Sequence, residues 1–185
     1  MTLVAIVGIQ DPLQEGVKDS VARCQAAGII VRMVMGDNLL TAKAIARECG
    51  ILMEDGLVMD GYSFRKLGVV GINQIIPCLQ VLAWSSPEDK KILVKAFQAS
   101  GEIIAVTRDG TNDAPALKMA DVGFSMSLTS TEVAKEASDI VLMDDNFSSI
   151  VKAVMWGRAV NDAVRKFLQV GLHKVLLWLL LTRFW

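Results

Sequence analysis

The stretch that decides the fold is Thr107-Arg108-Asp109-Gly110-Thr111-Asn112-Asp113-Ala114-Pro115-Ala116-Leu117-Lys118. It follows the strand-like Glu102-Ile103-Ile104-Ala105-Val106 and precedes a helix-like segment. A buried strand ending in Asp-Gly-x-Asn-Asp delivers Asp109 and Asp113 onto one loop at the carboxyl edge of a sheet. Ligands of open α/β sheets bind at that edge, and hard carboxylate oxygens suit Mg²⁺. An ordinary polar turn draws on the same residue types, so the rest of the chain has to decide between them.

Working outward, apolar runs alternate with amphipathic stretches. Leu3–Ile9, Ile29–Val34, Gln80–Ala83, Glu102–Val106, Asp121–Phe124 and Asp139–Met143 read as short buried strands. Gln14–Ala27, Leu39–Cys49, Pro87–Ala99 and Ala114–Met119 read as helices. Pro87 suits a helix start, with Ser86 as its cap and Asp89 near the positive end of the dipole. Strand–helix alternation predicts a doubly wound parallel sheet with right-handed crossovers. Residues 54–79 are less regular, broken by Gly56, Gly61, Gly68 and Gly71, and are expected to make an excursion over the surface.

From Phe147 onward a long helical pattern sets in. Ile150, Val151, Val154, Met155, Ala159, Ala163, Phe167 and Leu168 share one face. The apolar run Val175–Leu181 is short of the roughly 20 residues that a bilayer span needs, and His173, Lys174 and Arg183 interrupt it. The chain is therefore expected to divide into residues 1–146, one α/β unit, and residues 147–185, a long helix.

A length of 185 residues with 52% apolar content is enough for one sizeable core. A formal charge of −1 gives no reason to expect nucleic acid as a partner. The balance is uneven along the chain: Lys152, Arg158, Arg165, Lys166, Lys174 and Arg183 face a single acid, Asp162, in the C-terminal arm. Cys24, Cys49 and Cys78 lie far apart without metal-ligand spacing, as reduced thiols of a cytosolic domain would. Met1–Gly8 is too short for a signal peptide and runs directly into Asp11-Pro12.

Five motifs in order resemble the P-type cation-transporting ATPases. Thr107–Lys118 resembles their hinge motif, Thr-Gly-Asp-Gly-x-Asn-Asp-Ala-Pro-Ala-Leu-Lys. Gly8-Ile9-Gln10-Asp11-Pro12 resembles Gly-Ile-x-Asp-Pro, and Met33-Val34-Met35-Gly36-Asp37-Asn38 resembles Met-Val-Thr-Gly-Asp-Asn. Ser85-Ser86-Pro87-Glu88-Asp89-Lys90 is similar to the lysine segment of the haloacid-dehalogenase-like phosphorylation domain. Asp139-Ile140-Val141-Leu142 and Asp144-Asp145-Asn146-Phe147 resemble the exit into the stalk of a membrane helix. Ile9-Gln10-Asp11-Pro12 and Ala46-Arg47-Glu48-Cys49-Gly50-Ile51 point to the Ca²⁺ pumps of the calmodulin-regulated plasma-membrane and vacuolar kind.

The resemblance implies a haloacid-dehalogenase-like, Rossmann-type fold and ATP-driven Ca²⁺ export through an aspartyl-phosphate. Phosphoryl transfer is mostly positioning and charge neutralisation. By the resemblance Asp109 is the Mg²⁺ ligand, Lys90 neutralises phosphoryl oxygens, Asp113 shapes the loop and Asn112 holds its geometry. Gly36, Asp37, Thr107 and Gly110 line the phosphate and nucleotide pocket. ATP, with Mg²⁺ as cofactor, and Ca²⁺ are the implied ligands of the parent pump. The implied location is a plasma or vacuolar membrane, reached through the C-terminal helix, with this domain in the cytosol. An amphipathic helix packed on its own domain is the other reading of that arm. A solvated helix charge is the commonest fate of a lysine such as Lys90.

The chain lacks the Asp-Lys-Thr-Gly-Thr segment that carries the family's nucleophile. A fragment that forms no acyl phosphate by itself is therefore expected. Met35 stands where the family has a phosphate-contacting threonine, Arg108 where it has glycine, and Trp84 where it has arginine; Ser127 and Ser130 replace further glycines. Residues from Val170 on do not match the family's membrane helix. Two rivals stand beside the pump reading. A free-standing phosphatase of the haloacid-dehalogenase type would need an aspartate on Leu3–Ile9, which has none. A non-catalytic remnant would serve as an interaction module.

Overall fold

A computed structural model of the chain describes residues 12–108, 114–126 and 132–183. Two compact units emerge, Met1–Ser148 and Ser149–Trp185. The first is built from α1 (Val17–Ala26), β1 (Met33–Val34), α2 (Leu39–Glu48), β2 (Leu57–Asp60), α3 (Gly61–Lys66), α4 (Gly68–Ile75), β3 (Leu79–Ala83) and α5 (Pro87–Ala99). It continues with β4 (Ala105–Arg108), α6 (Ala114–Met119), β5 (Val122–Met126), α7 (Glu132–Glu136) and β6 (Ile140–Leu142). The helix α8 (Phe147–Arg183) begins two residues before the second unit and supplies its described residues.

All strand pairs are parallel, and they fall into two sheets of three, β1-β3-β2 and β4-β5-β6. The sequence predicted one continuous sheet. Among the described residues β1 and β2 are the edge strands of the first sheet and β4 and β6 those of the second. Parallel strands joined through helices are covered on both faces, and β3 shows how. Val81 and Ala83 point into a cluster with Val21, Ala42, Ala46 and Ile51 under α1 and α2. Leu82 points the other way, into a cluster with Phe64, Ile72, Leu93 and Phe97 under α3, α4 and α5. The two-residue side-chain period of a strand produces this split.

Two sequence expectations need correction. The strand expected over Ile29–Val34 contracts to Met33–Val34, because Ile30 lies 62% exposed and a side chain replaces the ladder. The Arg32 guanidinium donates from Nε to the Leu79 carbonyl at 2.8 Å and from Nη2 to the Ile76 carbonyl at 3.1 Å, while stacking over Phe97. Residues 54–79 are not a surface excursion: β2 pairs with β3, and Phe64 and Ile72 are buried. The short α7 was not anticipated. The strand expected over Leu3–Ile9 lies outside the described residues.

The second sheet is tied by side chains as well as by its ladder. The Asp121 carboxylate accepts from Ile104 N–H at 2.8 Å, and Asp139 accepts from Gly123 N–H at 2.8 Å. The Gln98 amide of α5 donates to the Met119 carbonyl at the end of α6, at 2.7 Å. The helix α5, which lines the core of the first sheet, thereby also holds α6 of the second. The long helix α8 carries 37 residues, yet no helix among the described residues is long and apolar enough to cross a membrane.

Candidate active site

Two turns at the carboxyl ends of the first sheet form a single hydrogen-bonded unit. Met35 N–H continues the ladder to the Leu82 carbonyl at 3.0 Å. The Met35 carbonyl then accepts from Ser85 twice, from N–H at 3.1 Å and from Oγ at 3.0 Å. Trp84 N–H donates to the Asp37 carbonyl at 2.9 Å. The turn after β1 and the turn after β3 are therefore held against each other, as sequence-distant loops at a sheet's carboxyl edge must be to make one site.

Gly36 and Asp37 are exposed on the first of these turns. Among the described residues nothing lies within 4 Å of where a Cβ on Gly36 would sit, so they leave the backbone there open to an incoming group. Asn38 ends the turn as the N-cap of α2, its Oδ1 accepting from Thr41 N–H at 2.8 Å. An exposed backbone leading straight into a capped, ten-residue helix puts the positive end of that helix next to the turn. Met35 packs against the α1–α2 core cluster. Its thioether is thereby absorbed into apolar packing.

The second turn is built by Ser86. Its side chain accepts from Asp89 N–H at 3.2 Å while the Asp89 carboxylate accepts from Ser86 N–H at 2.8 Å, a reciprocal capping box with Pro87 opening the helix. The capping expected of Ser86 and Pro87 is what the structure shows. Lys90 is half-buried on the first turn of α5, with its N–H bonded to the Ser86 carbonyl at 3.3 Å. Trp84, at φ 44, is 58% exposed in the left-handed region that non-glycine residues seldom adopt.

Thr107 is exposed near the carboxyl end of β4, paired with Phe124 in the second sheet, and Arg108 is the last residue of that strand. The expected Asp109, Gly110, Asn112 and Asp113 lie outside the described residues. Among the described residues no group of three or more His, Cys, Asp or Glu is placed to hold a metal. What they offer Mg²⁺ is one exposed carboxylate, Asp37, beside an open backbone, and this fits an ion that binds through one or two carboxylates and keeps its waters. An open cavity of about 520 Å³ lined by Lys43, Arg47, Leu52, Met53 and Glu54 lies elsewhere, and no predicted site residue lines it.

Sequence reasoning missed the residues that buttress this site. Asp89 is completely buried, and the Arg65 guanidinium of α3 is in ion contact with its Oδ2. The available signal was Asp60-x-x-Ser63, a helix cap that announces α3: Asp60 Oδ1 accepts from Ser63 N–H at 2.8 Å. These bonds from Ser63, backbone first and hydroxyl second, hold the Asp60 carboxyl below its ordinary value. Burial, with Glu48 nearby, pushes the Cys49 thiol up and keeps it neutral.

The sequence profile of the haloacid dehalogenase-like hydrolases matches residues 2–121. Over 169 residues the chain is 60% identical to the Calcium-transporting ATPase 2 of Cryptococcus neoformans, covering 91% of this chain and 12% of that protein. It is 61% identical to the Calcium-transporting ATPase 2 of Schizosaccharomyces pombe, covering 91% and 13%. It is 55% identical to the Calcium-transporting ATPase 4, plasma membrane-type, of Arabidopsis thaliana, covering 92% and 17%. The chain thus spans well under a fifth of the length of these relatives. It belongs to the haloacid dehalogenase-like hydrolases and is homologous, over nine-tenths of its length, to the calcium-transporting ATPases.

Proposed function

We propose that this chain is the C-terminal part of the phosphorylation domain of an ATP-driven P-type Ca²⁺ pump. The observation that carries the reading is identity of 60% to a calcium-transporting ATPase over 169 residues, 91% of this chain. In this reading the domain faces the cytosol of a membrane-bound parent, at a plasma or vacuolar membrane, and α8 leads toward the bilayer. ATP and Ca²⁺ are the ligands of the parent.

The residues divide the work by position. Lys90, on the first turn of α5, supplies the cation that neutralises phosphoryl oxygens. Gly36 and the N-terminus of α2 offer backbone N–H groups to the same oxygens, with Asp37 on the rim. Thr107 and Gly110 line the pocket from the β4 side, and Asn112 and Asp113 keep that loop in shape. Asp109 holds Mg²⁺, whose contribution when bound is charge neutralisation at the phosphate. The chain has no Asp-Lys-Thr-Gly-Thr, so it supplies a pocket without a nucleophile and is inactive by itself.

The test is a graft. This chain replaces the matching stretch of the Schizosaccharomyces pombe relative, and labelled ATP is added in the presence of Ca²⁺. The expected result is a hydroxylamine-sensitive phosphoenzyme in the chimera, raised further by Met35→Thr with Arg108→Gly, and none in the isolated chain. A chimera that reaches the membrane yet forms no phosphoenzyme, even with both reversions, would overturn the reading. Phosphoenzyme on the isolated chain would overturn its lack of a nucleophile.

A further inference from the structure

We infer that Arg65 is a positioning residue for Lys90, acting through the buried carboxylate of Asp89; the inference deepens the proposed phosphate site and rests on it for the role of Lys90. Asp89 has no exposed surface. Its Oδ2 accepts from Ser86 N–H at 2.8 Å and Ser86 Oγ at 2.9 Å, and it is in ion contact with Arg65 Nη1. Arg65 also reaches Ser86 Oγ at 3.3 Å. The other oxygen, Oδ1, is buried without a hydrogen-bond partner among the described residues. Among the described residues, Arg65 is the cation in contact with this buried carboxylate, and burying a carboxylate without a paired cation is costly.

The geometry is tight on the far side as well. A Cβ on Gly61 would lie 2.5 Å from the Trp84 carbonyl oxygen and 2.8 Å from Asp89 Oδ2. The start of α3 is therefore pressed directly onto the turn that precedes Lys90. Asp60 caps α3 and Arg65 closes it onto Asp89, so the whole turn Trp84-Ser85-Ser86-Pro87 sits between α3 and the α2 side of the site. Lys90 follows Asp89 directly, and its own N–H is bonded to the Ser86 carbonyl. Any rotation of the Ser86–Asp89 box rotates Lys90. A helix that touches no expected ligand thereby fixes the one cation expected to meet phosphate.

Calorimetry with inorganic phosphate and Mg²⁺ on the intact chain, combined with amide hydrogen exchange, tests this. Lys90→Met should abolish phosphate binding, and Arg65→Gln should weaken it at least fivefold. Adding Arg65→Gln to Lys90→Met should change nothing further, because both act through one group. Arg65→Lys should recover part of the loss. The Lys90 amide should exchange at least tenfold faster in Arg65→Gln, while amides of α2 keep their rates. If Arg65→Gln fails to fold because it leaves the buried Asp89 carboxyl without its cation, the pair Arg65→Gln with Asp89→Asn removes both groups and should show the same loss. Wild-type phosphate affinity in the folded Arg65 variants, or an unchanged Lys90 exchange rate, would overturn the inference. If the unaltered chain bound no phosphate, the proposed site would fail, and the exchange measurement alone would decide whether Arg65 holds the turn.

Discussion

The backbone N–H of Trp84 donates to the carbonyl of Asp37 at 2.9 Å, and Trp84 makes this bond from a left-handed conformation, φ 44. The same residue pair joins the two turns of the candidate site and stores backbone strain there. Strained residues persist where surrounding structure over-determines them, often at ligand sites.

That strain has a measurable consequence. The left-handed region costs an L-residue about 1–2 kcal/mol, and glycine avoids the cost at the price of a looser unfolded chain. Trp84→Gly is expected to raise stability by up to about 1 kcal/mol, whereas Trp84→Val, branched at Cβ, should lower it by a similar amount. Urea unfolding of the two variants reads the difference. Equal stability in both would show that φ at this position relaxes freely.

Gly61 should tolerate no side chain. The atom nearest its missing Cβ is the Trp84 carbonyl oxygen at 2.5 Å, which is backbone and cannot swing aside. Overpacking of this kind costs about 1–3 kcal/mol. Gly61→Ala is expected to lose stability in that range by thermal unfolding, although alanine is the better helix former. A stabilised Gly61→Ala would mean that α3 and the turn before Lys90 are not in contact.

How much of this was legible beforehand varies with the kind of signal. The helix α5 was readable to the residue, because Ser86, Pro87 and Asp89 are local capping signals. The turn after β1 was readable because Gly36, Asp37 and Asn38 follow an apolar run, and the turn after β3 because Ser85, Ser86 and Pro87 follow another. The strand at Ile29–Val34 was overextended because no local pattern shows that the Arg32 side chain satisfies the Leu79 carbonyl, 47 residues away. Residues 54–79 were misjudged for a related reason. Four glycines suggested irregularity, whereas Gly61 is needed for close approach, and Phe64 is buried in a cluster that draws on α4, α5 and β3. The Arg65–Asp89 contact joins residues 24 apart and leaves no periodic trace.

The cap of α3 predicts a pH dependence. The Asp60 carboxyl sits below its ordinary value when folded, so it favours the folded state above the unfolded value of about 3.9. That contribution is lost as pH falls through the folded-state value. Asp60→Ala should therefore cost about 1 kcal/mol at neutral pH, as loss of an N-cap usually does, and progressively less below about pH 4. Unfolding curves at pH 7 and pH 3 measure this. A cost that stays constant over the range would remove the carboxylate from the cap.

The central claim of the proposed function is that Gly36 to Asn38, Lys90 and Thr107 belong to one Mg²⁺-dependent phosphate site. Paramagnetic broadening by Mn²⁺, an oxygen-ligated stand-in for Mg²⁺, tests it most directly on the isotope-labelled chain. At substoichiometric Mn²⁺ the amide signals of Gly36 to Asn38, Lys90 and Thr107 should broaden together, while the exposed acidic pair Glu54 and Asp55 stays sharp. Broadening at Glu54 and Asp55 first, or at Gly36 to Asn38 without Thr107, would contradict a shared site.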